Sequence, residues 1–216
     1  MFELVNANAG YNGRAVLSGI TLSIAAGERV ALVGGSGAGK STLLSLLYRQ
    51  RRADSALIPQ DWALVRTLSV FHNVYIGRLG RYSTGYNLRN LIRPSAREVG
   101  EIRPILQSLD LEDKLFAAVG ELSGGQQQRT AVARALFQGS PALLGDEPVS
   151  AVDERQARRV LQTIHDAYAT VILAMHDVAL ALEYTDRVIG IRGGSIVLDA
   201  PTAGMTPADL APVYGG

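Results

Sequence analysis

Apolar positions along this chain fall into two rhythms. Short apolar runs bounded by glycine or charged turns, at residues 2–6, 20–24, 29–33, 57–58, 142–144 and 170–174, read as strands. Between them, Leu43, Leu44 and Leu47 recur at helical spacing and predict a helix over about 40–51. Val99, Ile102, Leu106 and Leu109 do the same behind Ser95-Ala96-Arg97-Glu98, a capping-box pattern. Further helices are expected from Ser123 to Phe137 and over about 153–169, with a late hairpin turning through Gly193-Gly194. From about residue 66 to 120 the character shifts to helices and loops, and residues 77–93, rich in glycine and arginine, read as surface loop. Strands alternating with helices predict an α/β fold with a mainly parallel sheet covered on both faces.

The run 29–33 leads into Gly34, Gly35, Ser36, Gly37, Ala38, Gly39, Lys40 and Ser41, which fit G-x-x-x-x-G-K-[ST] between a strand and a helix. Glycines let successive backbone N–H groups turn inward around phosphates without Cβ clashes. The helix N-terminus adds the positive end of its dipole, Lys40 a mobile charge, and Ser41 a hydroxyl for Mg²⁺, with Thr42 following. This is a phosphate-binding loop, and the expected ligand is ATP with Mg²⁺.

The strand at 142–144 ends in two adjacent carboxylates, Asp146 and Glu147. Strand alternation predicts that they point to opposite sides and do different work. Asp146 is placed to hold Mg²⁺ through a water, and Glu147 to polarise an attacking water. His176 follows the strand at 170–174, whereas His72 and His165 have no partner motif and read as structural. In Leu122-Ser123-Gly124-Gly125-Gln126-Gln127-Gln128-Arg129, Ser123 is a good N-cap, and two glycines allow a ligand close to a second helix N-terminus. One site rarely needs two such helix ends from one subunit. The economical expectation is that each chain lends this one to a neighbour.

Charge and composition mainly exclude. With 21 basic and 20 acidic residues the chain has no global basic field, so no nucleic-acid partner is expected. Cysteine is absent, which removes disulfides and thiolate metal sites. No signal-peptide pattern opens the chain, and no run of 18 uncharged apolar residues occurs, so a membrane role requires a separate partner.

Taken with the Ile58-Pro59-Gln60 and Ser150-Ala151-Val152-Asp153 strings, these motifs resemble the nucleotide-binding subunit of ATP-binding-cassette (ABC) transporters over nearly the whole chain. The resemblance implies a single ABC ATPase domain over 1–216: a P-loop NTPase core, a small antiparallel β-lobe and a helical subdomain inserted at about 66–125. It implies that Tyr11 stacks on adenine and that Gln60 belongs to the catalytic and Mg²⁺ set. It makes Glu147 the general base and His176 the residue gripping the γ-phosphate. Ser123, Gly124, Gly125 and Gln126, with Asp153, would then cover ATP bound to the opposite subunit. The implied partners are a second copy or a homologous ATPase subunit, an integral membrane permease and, indirectly, a solute-binding protein, at the cytoplasmic face of the inner membrane. A soluble enzyme complex driven by the same motor is the alternative.

Within the family, Leu68-Ser69-Val70-Phe71-His72-Asn73-Val74 and Ile76-Gly77-Arg78-Leu79-Gly80-Arg81 are most similar to phosphonate-type importers. Only 19 residues separate Lys40 from Gln60, fewer than the family usually carries, so a shortened β-lobe is expected.

Overall fold

The computed structural model describes residues 1–11 and 13–215. The chain divides into two units, the first made of residues 1–57, 141–148 and 168–216 and the second of 58–140 and 149–167.

In the first unit, β1 (Phe2–Tyr11) and β2 (Arg14–Ile24) form a two-stranded antiparallel sheet running from the Phe2/Ile24 pair to Tyr11/Arg14. Strand β3 (Arg29–Val33) leads through the glycine loop into α1 (Lys40–Gln50). A single 3-10 turn (Arg52–Asp54) then carries the chain straight to β4 (Ser55–Ile58). No residues remain between α1 and β4 for further antiparallel strands, so the lobe is as small as the Lys40–Gln60 interval predicts.

Strands β5 (Ala142–Asp146), β6 (Thr170–Ala174), β7 (Arg187–Arg192) and β8 (Ser195–Pro201) complete a six-stranded sheet in the order β4-β5-β6-β3-β7-β8. β3 runs parallel to both β6 and β7, β5 runs parallel to β6, and β7-β8 is the antiparallel hairpin. The residues of β5 and β6 are all buried, which explains why they read as continuous apolar runs rather than alternating ones. Leu43, Leu44 and Leu47 of α1 join Val30, Leu32, Leu144 and Ile172 in the core beneath the glycine loop. Each such leucine contributes about 1.5–3 kcal/mol by leaving water.

The register decides where the chemistry gathers. Ala174 is paired with Leu32 on one side and with Asp146 on the other. The C-terminal ends of β3, β5 and β6 are therefore level, and whatever follows each strand emerges at one edge of the sheet. That edge of a parallel α/β sheet is where ligands are ordinarily held.

The second unit is helical: α2 (Val70–Tyr75), α3 (Thr84–Ile92), α4 (Ala96–Ser108), α5 (Gly124–Gln138) and α6 (Glu154–Ala167). Back in the first unit, α7 (Val178–Tyr184) and α8 (Ala211–Tyr214) follow β6 and the final 3-10 turn. Two sequence expectations need correction. Residues 77–93 are not a loop: a 3-10 stretch (Ile76–Arg81) leads into α3, capped by Ser83, whose hydroxyl accepts from Tyr86 N at 3.4 Å. The helix escaped notice because its inward positions are polar. The capping box at Ser95 is only half made, since Glu98 N reaches the Ser95 hydroxyl at 3.3 Å but the Glu98 carboxylate turns inward to the Tyr86 hydroxyl at 3.0 Å.

Candidate functional site

Gly34, Gly37 and Gly39 take φ of 151°, 74° and 111° in the loop between β3 and α1. A Cβ on Gly34 would lie 2.3 Å from the Ile191 carbonyl, and one on Gly39 2.6 Å from Leu17 Cδ2. Both positions exclude side chains by conformation and by space. Lys40 is buried, and its ammonium donates to the carbonyls of Gly34 (2.8 Å) and Gly35 (3.2 Å). Burial lowers its pKa, against the opposing charges of Glu147 and Asp146. The N-cap of α1 is Gly39, which has no side chain to cap the first turn. Those N–H donors, with the positive end of the helix dipole, are available to an anion.

Asp146 ends β5 with only 8% of its surface exposed, and among the described residues its Oδ1 has no hydrogen-bond partner. Burial raises its pKa, and the charge of Glu147 adds to this. Ser41, Lys40 and His176 oppose it. A buried carboxylate oxygen without a partner, beside a serine hydroxyl and an ammonium, suits a hard cation. Among the described residues there is no group of three or more His, Cys, Asp or Glu side chains able to hold a metal by themselves.

Glu147 corrects the alternation argument. It leaves the strand with φ of 54°, and its backbone N–H donates to the Ala174 carbonyl at 3.0 Å. Glu147 thus lies past the end of β5 in a left-handed turn, where the alternation of a regular strand does not extend. Glu147 Oε1 instead accepts from His176 Nε2 at 2.7 Å. His176 is half exposed, with a side-chain exposure of 50% against 18% for Glu147. His176 is positioned in turn by the Met175 N–H on the Leu32 carbonyl (3.0 Å) and by Asp177, which caps α7 by accepting from Leu180 N (3.0 Å). One edge of the sheet thus presents Lys40, Ser41, Asp146, Glu147 and His176. Tyr11, the last residue of β1, is 55% exposed in the same unit.

In the second unit, Ser123 caps α5 by a full capping box: its hydroxyl accepts from Gln126 N (3.3 Å), and the Gln126 side chain accepts from Ser123 N (3.0 Å). Apart from the Gln126 N–H taken by this cap, the first N–H groups of α5 have no partner within the helix. Ser123, Gly124, Gly125, Gln126 and Asp153 line one cavity of about 350 Å³. A Cβ on Gly125 would sit 2.9 Å from the Ala151 carbonyl, so the loop before α6 crosses α5 at a glycine. Asp153 caps α6, accepting from Gln156 N at 2.9 Å.

Sequence reasoning passed over the residue that joins these loops, Gln128. It is fully buried, donates to the Ser150 hydroxyl (3.2 Å) and accepts from Ala151 N (3.0 Å). The available signal was a glutamine on the side of α5 that also carries Ala131, Val132, Ala135 and Phe137. Gln60 lies in an exposed turn just beyond β4.

The ABC transporter family profile matches residues 17–150. The chain belongs to the ABC transporter family. As a member it is an ABC-family ATPase, and its parallel core with a two-stranded antiparallel sheet is the fold of that family's cassettes. It is 37% identical, over 246 aligned positions, to the phosphonates import ATP-binding protein PhnC of Lactobacillus johnsonii, covering 100% of this chain and 96% of that one. It is 41% identical to a PhnC of Pseudomonas savastanoi, covering 87% and 81%. The alignment with the Lactobacillus protein exceeds the 216 residues present, so that relative carries segments this chain lacks. The PhnC of Anaeromyxobacter dehalogenans is 36% identical over 98% of this chain, which spans 47% of that protein. Among solved structures, a dimeric bacterial ABC transporter cassette, MJ0796, superposes with a TM-score of 0.82 at 25% identity, covering 95% of this chain and 100% of that one.

Proposed function

We propose that this chain hydrolyses ATP as one half of a dimer and so drives solute import through a separate membrane permease, the solute being a phosphonate or a related oxyanion. The observation that carries the catalytic part is the 2.7 Å pair of Glu147 and His176 beside the loop of Lys40. Residues 34–42 hold the phosphates, with the Lys40 ammonium moving from its own loop carbonyls to the anion. Glu147, oriented by His176, accepts a proton from the attacking water, and the half-exposed His176 imidazole faces the γ-phosphate. Tyr11 stacks on adenine, and Gln60 completes the catalytic set.

Ser41 and Asp146 fit Mg²⁺, because the buried Asp146 Oδ1 is without a partner. Held there with Gln60, the cation would neutralise developing charge on the phosphate oxygens.

Ser123, Gly124, Gly125 and Gln126, with Asp153, cap nucleotide bound to the partner copy or to a homologous subunit. Two supports are the Ser123 N-cap at the start of α5 and the cavity between the α5 N-terminus and residues 151–153. Residues 1–216 work as one ABC ATPase domain. No helix among the described residues is long and apolar enough to cross a membrane, so attachment at the cytoplasmic face of the inner membrane is peripheral and passes through the permease, with a solute-binding protein supplying cargo. The solute assignment is supported by the Lactobacillus and Pseudomonas relatives, which are phosphonates import ATP-binding proteins.

The test is Glu147→Gln. ATP turnover should fall roughly 10²–10⁴-fold, the range of a lost general base. The variant should also elute as a dimer when ATP is present. Retained turnover, or no ATP-dependent dimer, refutes the catalytic assignment. Recovery of only soluble partners from solubilised membranes refutes transport.

A further inference from the structure

Helix α3 is built with its polarity reversed. Asn90 on its inward side is 1% exposed, and its amide accepts from Ser95 N at 2.8 Å while donating toward the Tyr75 hydroxyl at 3.4 Å. Asn87 accepts from the Tyr75 hydroxyl at 2.7 Å. The outward side carries Leu88, Leu91 and Ile92, exposed by 57%, 49% and 80%. Spaced i, i+3, i+4, the three side chains form one continuous face. A surface helix in a globular protein normally turns that face inward. Polar hydrogen bonds anchor α3 instead, and its apolar stripe stands in water.

The charge around it is equally one-sided. Residues 62–97 contain six arginines and no aspartate or glutamate, in a chain whose 21 basic and 20 acidic residues nearly balance overall. Arg78 and Arg97 are paired with Glu101, and Arg81 bonds the Gln138 carbonyl. Arg66, Arg89 and Arg93 are exposed, and among the described residues nothing pairs with their side chains. Arg89 and Arg93 lie on or beside α3, next to the leucines.

We propose that α3 is a membrane-surface contact, with Leu88, Leu91 and Ile92 seated at the headgroup–acyl boundary of an anionic bilayer and Arg89 and Arg93 on lipid phosphates. A bare aliphatic stripe flanked by arginines is the pattern of helices that lie in a membrane interface. Charge of a single sign fits the anionic surface of a cytoplasmic leaflet. This contact comes in addition to attachment through a permease and needs neither permease nor ATP. Its failure would therefore leave the transport reading standing.

The experiment is co-sedimentation of the purified chain with vesicles of phosphatidylcholine alone or mixed with phosphatidylglycerol. The chain should bind the mixed vesicles only, and less as salt is raised. Ile92→Glu should weaken binding roughly tenfold, by losing an inserted side chain and adding like charge. Arg89→Gln and Arg93→Gln should each cost about fivefold. All three positions are exposed, so the melting temperature and basal ATP turnover should match the parent chain, and Leu88→Ser provides a second, uncharged variant with the same expected loss. Equal binding to both vesicle types, no binding, or binding indifferent to Ile92→Glu and Leu88→Ser overturns the proposal. So does loss of permease capture by these variants without measurable vesicle binding, which would assign the face to a protein partner.

Discussion

Gln128→Ala is expected to unfasten the loop that carries Asp153 from the helix that carries Ser123. The Gln128 side chain is completely buried in α5 and holds Ser150 and Ala151 with bonds of 3.2 and 3.0 Å. Each neutral hydrogen bond is worth about 1 kcal/mol net. Truncating a buried side chain leaves a cavity that adds about another 1 kcal/mol. The sum is about 3 kcal/mol, which for a chain of this size lowers the melting temperature by roughly 6–12 °C. Thermal unfolding followed by circular dichroism measures it. Gln128→Leu separates the two contributions, because it refills most of the volume and leaves only the lost bonds. Its expected fall is about two-thirds as large. Turnover should drop in both variants even at temperatures where they are fully folded, because Gly125 and Asp153 no longer share a fixed cavity. A fall of less than about 2 °C for Gln128→Ala would refute the reasoning, showing that water replaces these bonds at negligible cost.

Other outcomes follow from the phosphate edge. Burial holds the pKa of Asp146 above the ordinary carboxylate value, so the folded chain binds that proton more tightly than the unfolded one. The associated stability is present at acid pH and lost as pH rises through the raised pKa of Asp146. Asp146→Asn should therefore melt higher than the parent at neutral pH without nucleotide, lose that advantage at acid pH, and gain little from added ATP and Mg²⁺. A lower melting temperature at neutral pH would contradict it. Gly34→Ala places a Cβ 2.3 Å from the Ile191 carbonyl at a φ of 151°. It should cost about 1–3 kcal/mol in stability. It should also weaken binding of a fluorescent ATP analogue roughly tenfold or more, since a shift of about 1 Å in a positioning loop is costly. Unchanged binding would mean that the loop tolerates the side chain.

The sequence alone determined the elements whose causes are local. The glycine loop, the leucines of α1, the serine caps at Ser95 and Ser123 and the mostly apolar strands β5 and β6 all announce themselves within a few residues. Local rules also carried the errors. Alternation was extended to Glu147, which lies past the end of β5 at a positive φ with its N–H on the Ala174 carbonyl, where a strand rule has no hold. Helix α3 lay hidden because its inward contacts are amide and hydroxyl bonds to Tyr75 and Ser95, which hydrophobic periodicity does not register. Gln128 looked like one glutamine among three until burial set it apart. Assembly of the site belonged to the tertiary structure, because Lys40, Asp146 and His176 lie at or beyond the ends of three different strands. They meet because Ala174 pairs with both Leu32 and Asp146, a parallel register that hydrogen bonds between distant segments impose and that no window along the chain contains.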